Sequence, residues 1–320
     1  MGGHGDRETG RGGDSLSPPH RLSPSPCLPF SASPRLPLAI VLSTHPAQFQ
    51  AVAFRGDLEA NLRSIAGLGY DGVELAIRDP GLVDVEALSR TLDQLGLAVP
   101  AVGTGQAWAE EGLSFTDPDA SVRRAAVDRI RAHLAPSARW GAVVIVGLIR
   151  GTVFPGVEPE QAWAWLVEAL RECCRSAADV GVRLALEPIN RYETVLVNTV
   201  AQGLDLVTQV GAPNLGLLLD TFHMNIEEPS IERSIRAAGE RIFHFHVADS
   251  NRWYPGAGHL NFPAILAALA ETGYGGYVSG EFLPLPDPAT AAASAIRFLR
   301  GETGRRGDAE TGRGGEGVTA

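Results

Sequence analysis

Short runs of apolar residues alternate along the chain with segments in which apolar residues recur every three or four positions. This alternation is typical of parallel strands joined by crossover helices. We predict eight strands, at residues 37–43, 72–77, 99–105, 142–149, 183–189, 215–221, 242–248 and 276–282. Near-continuous apolar strands in this number match a (β/α)₈ TIM barrel, with an open doubly wound sheet as the alternative.

The segments between the strands show helical spacing, for example at Leu58, Leu62 and Ile65. Glycine precedes several strands, as it often does where a helix ends, at positions 69, 96, 141, 181 and 273. No GxGxxG motif follows a strand, so the fingerprint of a dinucleotide-binding domain is missing.

Both ends of the chain differ in composition from its middle. Residues 1–35 are rich in Gly, Ser, Pro and Arg, and residues 302–320 return to Gly, Arg and Glu. The segment ETGRGG occurs in both, at 8–13 and 310–315. This composition predicts disordered tails on either side of a single barrel domain at residues 36–301.

The composition excludes several classes of protein. The net charge of -10 comes without a cluster of basic residues, which argues against a nucleic-acid-binding surface. The sequence contains no lysine, so all 27 residues in the Lys and Arg count are arginines. Schiff-base aldolase chemistry, lysine-anchored pyridoxal phosphate and a P-loop lysine are therefore excluded.

The chain carries no sign of export or membrane insertion. No apolar run reaches the roughly 18 residues of a membrane span, and the N-terminus lacks the apolar core of a signal peptide. Cys27 and the neighbours Cys173 and Cys174 match neither a disulfide framework nor a CxxC metal site. We therefore expect a soluble, cytoplasmic protein.

Ionisable residues stand on the last four predicted strands. Glu187, Asp220 and Glu281 lie at the ends of strands five, six and eight, and His246 lies in strand seven. In a parallel barrel the strand ends meet at one mouth, where the active site forms. Carboxylates gathered there repel one another unless a cation neutralises them. We therefore predict that these four residues hold one divalent ion, Mn²⁺, Mg²⁺ or Co²⁺.

Other residues are predicted to reach the same mouth. His223 in the loop DTFHMN and Glu193 in NRYE could contact a substrate, and so could Arg252 in HVADSNRW unless it forms a surface ion pair. His244 shares the inward face of its strand with His246, so we expect a buried histidine behind it.

A further group of residues has more ambiguous roles. Glu74, at the end of strand two, is expected to support the site rather than to react. Arg191 follows Glu187 as Glu193 does. Four aromatic residues could wall a sugar pocket, although such residues usually only pack: Trp108, Phe115, Trp253 and Tyr254.

Several motifs resemble those of the xylose isomerase-like TIM barrels, which include ketose 3-epimerases and hydroxypyruvate isomerases. The similarity covers essentially everything between the tails. The stretches EPINRYE, DTFHMN and HVADSNRWYPGAGH look closest to the 5-keto-L-gluconate epimerases of myo-inositol catabolism, which form D-tagaturonate. The stretch GYDGVEL is shared more widely. Strand one and the tails depart from the family, but no motif residue lies there.

The resemblance implies a role for each residue of the mouth. In the family, the positions that match the four strand residues bind the metal ion, and those of Glu187 and Glu281 also move the proton. The positions of His223, Arg252 and Glu193 contact substrate oxygens. Barrels of this family are usually dimers or tetramers, so we expect a homodimer or homotetramer.

The resulting hypothesis is a metal-dependent epimerase acting on a keto-sugar acid. The enzyme would remove a proton beside the ketone, form an enediolate stabilised by the metal ion, and return a proton to the opposite face. No organic cofactor is needed. The carboxylate of a keto-uronate needs a cationic partner, and because the chain has no lysine the candidates are Arg150 and Arg78, unless either forms a surface ion pair instead.

Three alternatives remain open. A 3-epimerase of neutral ketoses, or an aldose–ketose isomerase without a catalytic lysine, would use the same site. A non-catalytic sugar sensor would need only the pocket. A multinuclear-metal endonuclease would need more strand-end histidines and a basic groove, which the sequence does not provide.

Overall fold

Eight parallel strands pair in chain order and close on themselves in the computed structural model, which describes residues 35–46 and 49–301. The predicted (β/α)₈ TIM barrel is therefore confirmed. The strands are β1 (Leu38–Ser43), β2 (Gly72–Ala76), β3 (Ala101–Gly103), β4 (Val143–Val146), β5 (Leu184–Leu186), β6 (Leu215–Asp220), β7 (Ile242–Val247) and β8 (Val278–Gly280).

Several strands are shorter than the apolar runs that predicted them. The run 142–149 continues past the end of β4, where the chain turns into a 3₁₀ helix at Leu148–Arg150. The run stays apolar because Ile149 is fully buried beneath that turn. Burial of both strand and turn residues therefore made the sequence pattern overestimate the length of the strand.

Helices follow the strands around the barrel. Aspartate side chains cap the first turns of several of them; Asp57 and Asp84, for example, accept hydrogen bonds from Ala60 N and Ala87 N. The helices are α1 (Leu58–Gly67), α2 (Val85–Leu95), α3 (Gly105–Glu111), α4 (Ala120–Trp140), α5 (Pro159–Asp179), α6 (Val200–Val210), α7 (Thr221–Glu227), α8 (Ile231–Ala238), α9 (Phe262–Glu271) and α10 (Pro288–Leu299).

Two apolar cores hold these layers together. The larger one lies between the barrel and its helices, and the smaller one contains Ala101, Val143, Ile145, Ala185 and Leu218. The members of the smaller core alternate along β3 to β6, as inward-facing residues of a barrel do. The next inward positions toward the C-terminal ends are Glu187 after β5 and Asp220 on β6, at the mouth of the barrel, whereas those of β3 and β4 are Gly103 and Gly147.

The predicted tails lie outside the described residues, apart from Arg35. The domain boundaries at residues 36 and 301 therefore stay a prediction. Within the described part of the chain, no helix has both the length and the apolar character needed to cross a membrane.

Candidate active site

The four predicted strand residues come together at the C-terminal mouth of the barrel. Glu187, Asp220, His246 and Glu281 each offer one oxygen or nitrogen atom, and these atoms all lie within 4.8 Å of one another. Asp220 and His246 are direct neighbours because the register of β6 and β7 pairs them. Glu187 and Glu281 stand just beyond β5 and β8, so they lie on either side of that pair.

The carboxylates of this cluster strongly influence one another. Burial, together with the nearby Glu281 and Asp220, raises the pKa of Glu187 well above its ordinary value. Burial also opposes ionisation of Asp220, yet the Arg252 guanidinium and two histidines hold the pKa of Asp220 well below its ordinary value. The raised pKa of Glu187 reflects repulsion among these carboxylates, which a bound cation would relieve.

An unpartnered nitrogen supports the fit of a divalent cation. His246 Nδ1 is buried without a hydrogen-bond partner and lies 3.7 Å from Asp220 Oδ2 and 3.7 Å from Glu281 Oε2. One nitrogen and several carboxylate oxygens form a donor set that suits Mn²⁺, Mg²⁺ or Co²⁺. Gly147 also keeps space open here, because a Cβ atom at this position would lie 3.0 Å from Glu187 Oε2.

Arg252 lies inside the cluster rather than at its edge. Its Nη1 donates to Asp220 Oδ2 at 2.7 Å, and its Nη2 donates to Glu281. The residue adopts a φ of 62°, which is uncommon for a side chain of this size. Its backbone is held by bonds to Asp249 and Leu283, so the loop after β7 aims the guanidinium at the two carboxylates.

The two carboxylate oxygens of Asp220 have different partners. Oδ1 accepts a hydrogen bond from Phe222 N at 2.7 Å and caps the first turn of α7. Oδ2 faces Arg252 and His246. The sequence predicted a loop after Asp220, but α7 starts directly at Thr221, so His223 lies on a helix and is 4% exposed.

His223 joins the cluster through a network that includes Asn190. Asn190 Nδ2 donates to Glu193 Oε1 and lies 2.8 Å from His223 Nδ1. Burial lowers the pKa of His223 to about 3, so the neutral ring accepts at Nδ1 and turns Nε2 toward Glu187 Oε1, 3.7 Å away. No role was predicted for Asn190 from the sequence, although the motif EPINRYE contains it.

A second group of polar residues lies deeper in the barrel. Glu74 Oε2 is 2.7 Å from His244 Nε2 and 2.9 Å from His246 Nε2, and all three residues are at most 2% exposed. The expectation of a buried histidine behind His246 therefore agrees with the structure, as does a supporting location for Glu74.

A cavity adjoins the cluster, with a volume of about 700 Å³ that includes the space open to solvent at its mouth. Its wall is largely apolar and includes Phe49, Val52, Leu148 and Ile189. The aromatic residues expected to form this wall are absent from its described lining. Phe115 is fully buried in the core, Trp108 packs against Phe154, and Tyr254 packs against the larger core. Trp253 also does not line the cavity.

The two arginines expected to bind a substrate carboxylate point elsewhere. Arg150 is fully buried and donates to the carbonyl oxygens of Gly147, Leu196 and Val197 at 2.9–3.2 Å. Arg78 forms an ion pair with Glu110 at 2.9 Å. Neither arginine lines the cavity, so the geometry does not support the predicted role of either. The 3₁₀ turn after β4 directs Arg150 into the protein, which the strand prediction missed.

We expect Arg150 to stabilise the loop that carries the active-site motif. Val197 has a φ of 59°, a strained conformation for a β-branched residue, and Arg150 Nη2 bonds its carbonyl oxygen. The substitution Arg150→Met would remove three buried hydrogen bonds and leave the Leu196 carbonyl oxygen without its donor, so it should lower the free energy of unfolding by about 2–4 kcal/mol. Chemical denaturation measures this change.

Arg191→Met is the matched control for this measurement. Arg191 lies in the same loop, but its side chain is exposed, and the Glu227 carboxylate with which it pairs would keep a hydrogen bond from Arg191 N. Its replacement should change stability little. Equal losses in the two variants would contradict a structural role for Arg150.

The chain is similar in sequence to a family of sugar-converting barrels and to individual sugar epimerases. Residues 62–302 match the family model described as "Xylose isomerase-like TIM barrel". An L-ribulose 3-epimerase of Mesorhizobium japonicum is 32% identical over 243 residues, which cover 75% of this chain and 80% of that protein. A D-psicose 3-epimerase of Ruminiclostridium cellulolyticum is 34% identical over 239 residues, covering 71% and 79%.

A solved structure supports the same similarity. The D-allulose 3-epimerase of Methylomonas sp., in complex with D-allulose, superimposes with a TM-score of 0.69 at 28% identity. The match covers 83% of this chain and 98% of that chain.

Proposed function

Because this chain belongs to the xylose isomerase-like TIM-barrel family, we propose that it is a ketose 3-epimerase that works with one divalent metal ion. The observation that carries this proposal is the convergence of Glu187, Asp220, His246 and Glu281 within 4.8 Å at the mouth of the barrel. Relatives more than 30% identical over most of the chain are sugar epimerases. The chain is therefore an isomerase of the epimerase class.

The cluster has the chemistry that proton transfer at carbon requires. When bound, a divalent ion would polarise the ketose carbonyl and make the neighbouring C–H bond acidic enough to lose its proton. Glu187 and Glu281 extend from strand ends on opposite sides of the Asp220–His246 pair. One glutamate removes the proton from one face of the substrate, and the other returns a proton to the opposite face.

Neighbouring residues are suited to orient the substrate. His223 directs Nε2 toward Glu187, and Glu193 lines the same cavity. Arg252 can donate to a substrate oxygen beside Asp220 and Glu281. The bond from Asn190 to Glu193 and its contact with His223 fix the spacing of these two groups. The apolar wall around Phe49 excludes water from the developing negative charge.

The charge of the cavity favours a neutral ketose over a keto-uronate. Its described lining includes four carboxylates, those of Glu74, Glu187, Glu193 and Glu281, and no arginine. The carboxylate of 5-keto-L-gluconate would therefore meet like charges, and the nearby Arg252 guanidinium is already paired with Asp220 and Glu281, which makes binding of this substrate unfavourable. The motif resemblance to 5-keto-L-gluconate epimerases keeps this substrate as the second candidate, and its place in inositol catabolism stays a prediction.

We expect the protein to convert neutral ketoses at least about tenfold more efficiently than 5-keto-L-gluconate, because an unpaired like charge costs more than 1.4 kcal/mol. The test compares kcat/KM for D-psicose, L-ribulose and 5-keto-L-gluconate, using metal-loaded protein and NMR in D₂O. Deuterium should enter at the carbon beside the ketone, and the 3-epimer should appear.

Other outcomes of this assay distinguish the alternatives. A preference for 5-keto-L-gluconate would replace the neutral substrate but keep the epimerase. An aldose product would indicate an aldose–ketose isomerase. Binding of sugar without deuterium incorporation would indicate a sensor and overturn the proposed function.

A further inference from the structure

A buried carboxylate links two histidines behind the proposed metal site. Glu74 on β2 reaches across the barrel interior to β7, where its Oε2 lies 2.7 Å from His244 Nε2 and 2.9 Å from His246 Nε2. A protonated oxygen could donate to only one of these nitrogens, whereas a carboxylate oxygen accepts from both. Both histidines therefore carry a hydrogen on Nε2 and donate it to Glu74.

This bond determines which nitrogen of His246 is available as a ligand. With Nε2–H donated to Glu74, the neutral ring carries its lone pair on Nδ1. Nδ1 is buried without a hydrogen-bond partner and faces Asp220 Oδ2 and Glu281 Oε2, each 3.7 Å away. A ring nitrogen directed at two carboxylates is a position that favours a cation, either a proton or a metal ion.

We propose that Glu74 is a positioning residue that fixes His246 in the Nε2–H tautomer and aims Nδ1 at the metal ion. This inference rests on the proposed function, because it assumes that the cluster binds a metal. Glu74 acts through His246 and is not itself a ligand. A carboxylate that accepts from a metal-binding histidine commonly orients the ring and increases its strength as a donor.

His244 restrains the same carboxylate from the other side. Its ring lies nearly perpendicular to that of His246, with the ring centroids 5.2 Å apart and the planes at 81°. Because both rings donate to a single oxygen, neither Glu74 nor His246 can rotate without breaking a buried hydrogen bond. The pair therefore forms a rigid support beneath Nδ1.

Cobalt titration of the metal-free protein tests this role. In Glu74→Gln the side chain keeps its size but loses its charge, so the dissociation constant for Co²⁺ should rise about 10- to 100-fold. The Co²⁺ absorption bands should also shift, because His246 becomes a weaker donor. At saturating metal, KM for D-psicose should stay close to that of the wild type. A purely structural role would not move the absorption bands.

Glu193→Gln is the matched control. This carboxylate also lines the cavity, but it bonds Asn190 and does not contact His246, so its loss should leave Co²⁺ affinity unchanged. Thermal unfolding of each variant in a chelator verifies folding. If Glu74→Gln does not fold, Glu74→Asp retains the charge but withdraws it by one methylene, and it should weaken Co²⁺ binding to a smaller extent.

Unchanged Co²⁺ affinity in a folded Glu74 variant would overturn the inference. If kcat falls in such a variant while its Co²⁺ affinity stays unchanged, Glu74 acts on the substrate and not through His246. Failure of the wild-type protein to bind Co²⁺ would instead overturn the metal-dependent function itself.

Discussion

Removal of divalent metal from the purified protein should reduce epimerisation of a neutral ketose by at least about 10³-fold, since Lewis-acid activation of the carbonyl contributes several kcal/mol. Without a cation, the carboxylates of Glu187 and Glu281 face each other in a buried site, where burial and this repulsion already raise the pKa of Glu187. Dialysis against a chelator, followed by NMR measurement of the initial rate, gives the loss.

The control for this experiment is restoration of activity. Addition of Mn²⁺, Co²⁺ or Mg²⁺ should recover the rate, and the order of recovery would identify the preferred ion. Circular dichroism before and after dialysis verifies that the barrel remains folded. Full activity in protein that contains no metal by elemental analysis would contradict the proposed site.

Replacement of either glutamate by glutamine should lower kcat for epimerisation about 10²- to 10⁴-fold, the usual contribution of a general acid or base. Glu187 and Glu281 serve opposite faces of the substrate in this mechanism. Each variant should therefore still exchange the C3 hydrogen of one epimer with solvent, and the two variants should differ in which epimer they exchange. Deuterium incorporation into separate samples of the two epimers measures this.

Both glutamates are also proposed metal ligands, so the metal content of each variant must be measured and restored. Glu271→Gln is the control, because this exposed carboxylate only pairs with Arg236 at the surface. Unchanged turnover in Glu281→Gln would remove Glu281 from the proton-transfer step. Loss of exchange from both epimers in both variants would contradict the assignment of one glutamate to each face.

The location of the main cluster could be predicted from sequence because of the topology of a parallel barrel. All strands of such a barrel end at the same mouth. A residue's position at the end of a strand is therefore enough to predict that it lies there. Glu187, Asp220 and Glu281 satisfy this condition. His246 follows because an inward position on β7 pairs with Asp220.

Residues that follow a turn could not be placed in this way. Arg150 appeared available to a substrate, but its partners Leu196 and Val197 are 46 and 47 residues further along the chain. The direction of its side chain is therefore set by a loop whose path the apolar pattern does not contain. Likewise, the position of Arg252 depends on bonds that its backbone makes to Asp249 and Leu283.

The identity of the substrate is even harder to predict from sequence patterns. The cavity wall combines residues from several loops and strand ends, such as Phe49, Leu148 and Ile189. Phe49 and Leu148 belong to none of the quoted motifs, and Ile189 occupies a position of EPINRYE to which no role was assigned. A change in one of these residues would alter the shape of the cavity without altering the chemistry of the carboxylate cluster. Substrate preference can therefore diverge among relatives that share one reaction.

The divided role of Asp220 restricts how this site can change. Its Oδ1 starts α7, the helix that carries His223, while its Oδ2 belongs to the carboxylate cluster. A longer acidic side chain could preserve the charge, but it could not keep both oxygens in place. A substitution that changes the length of this side chain would therefore disturb both the start of α7 and the carboxylate cluster.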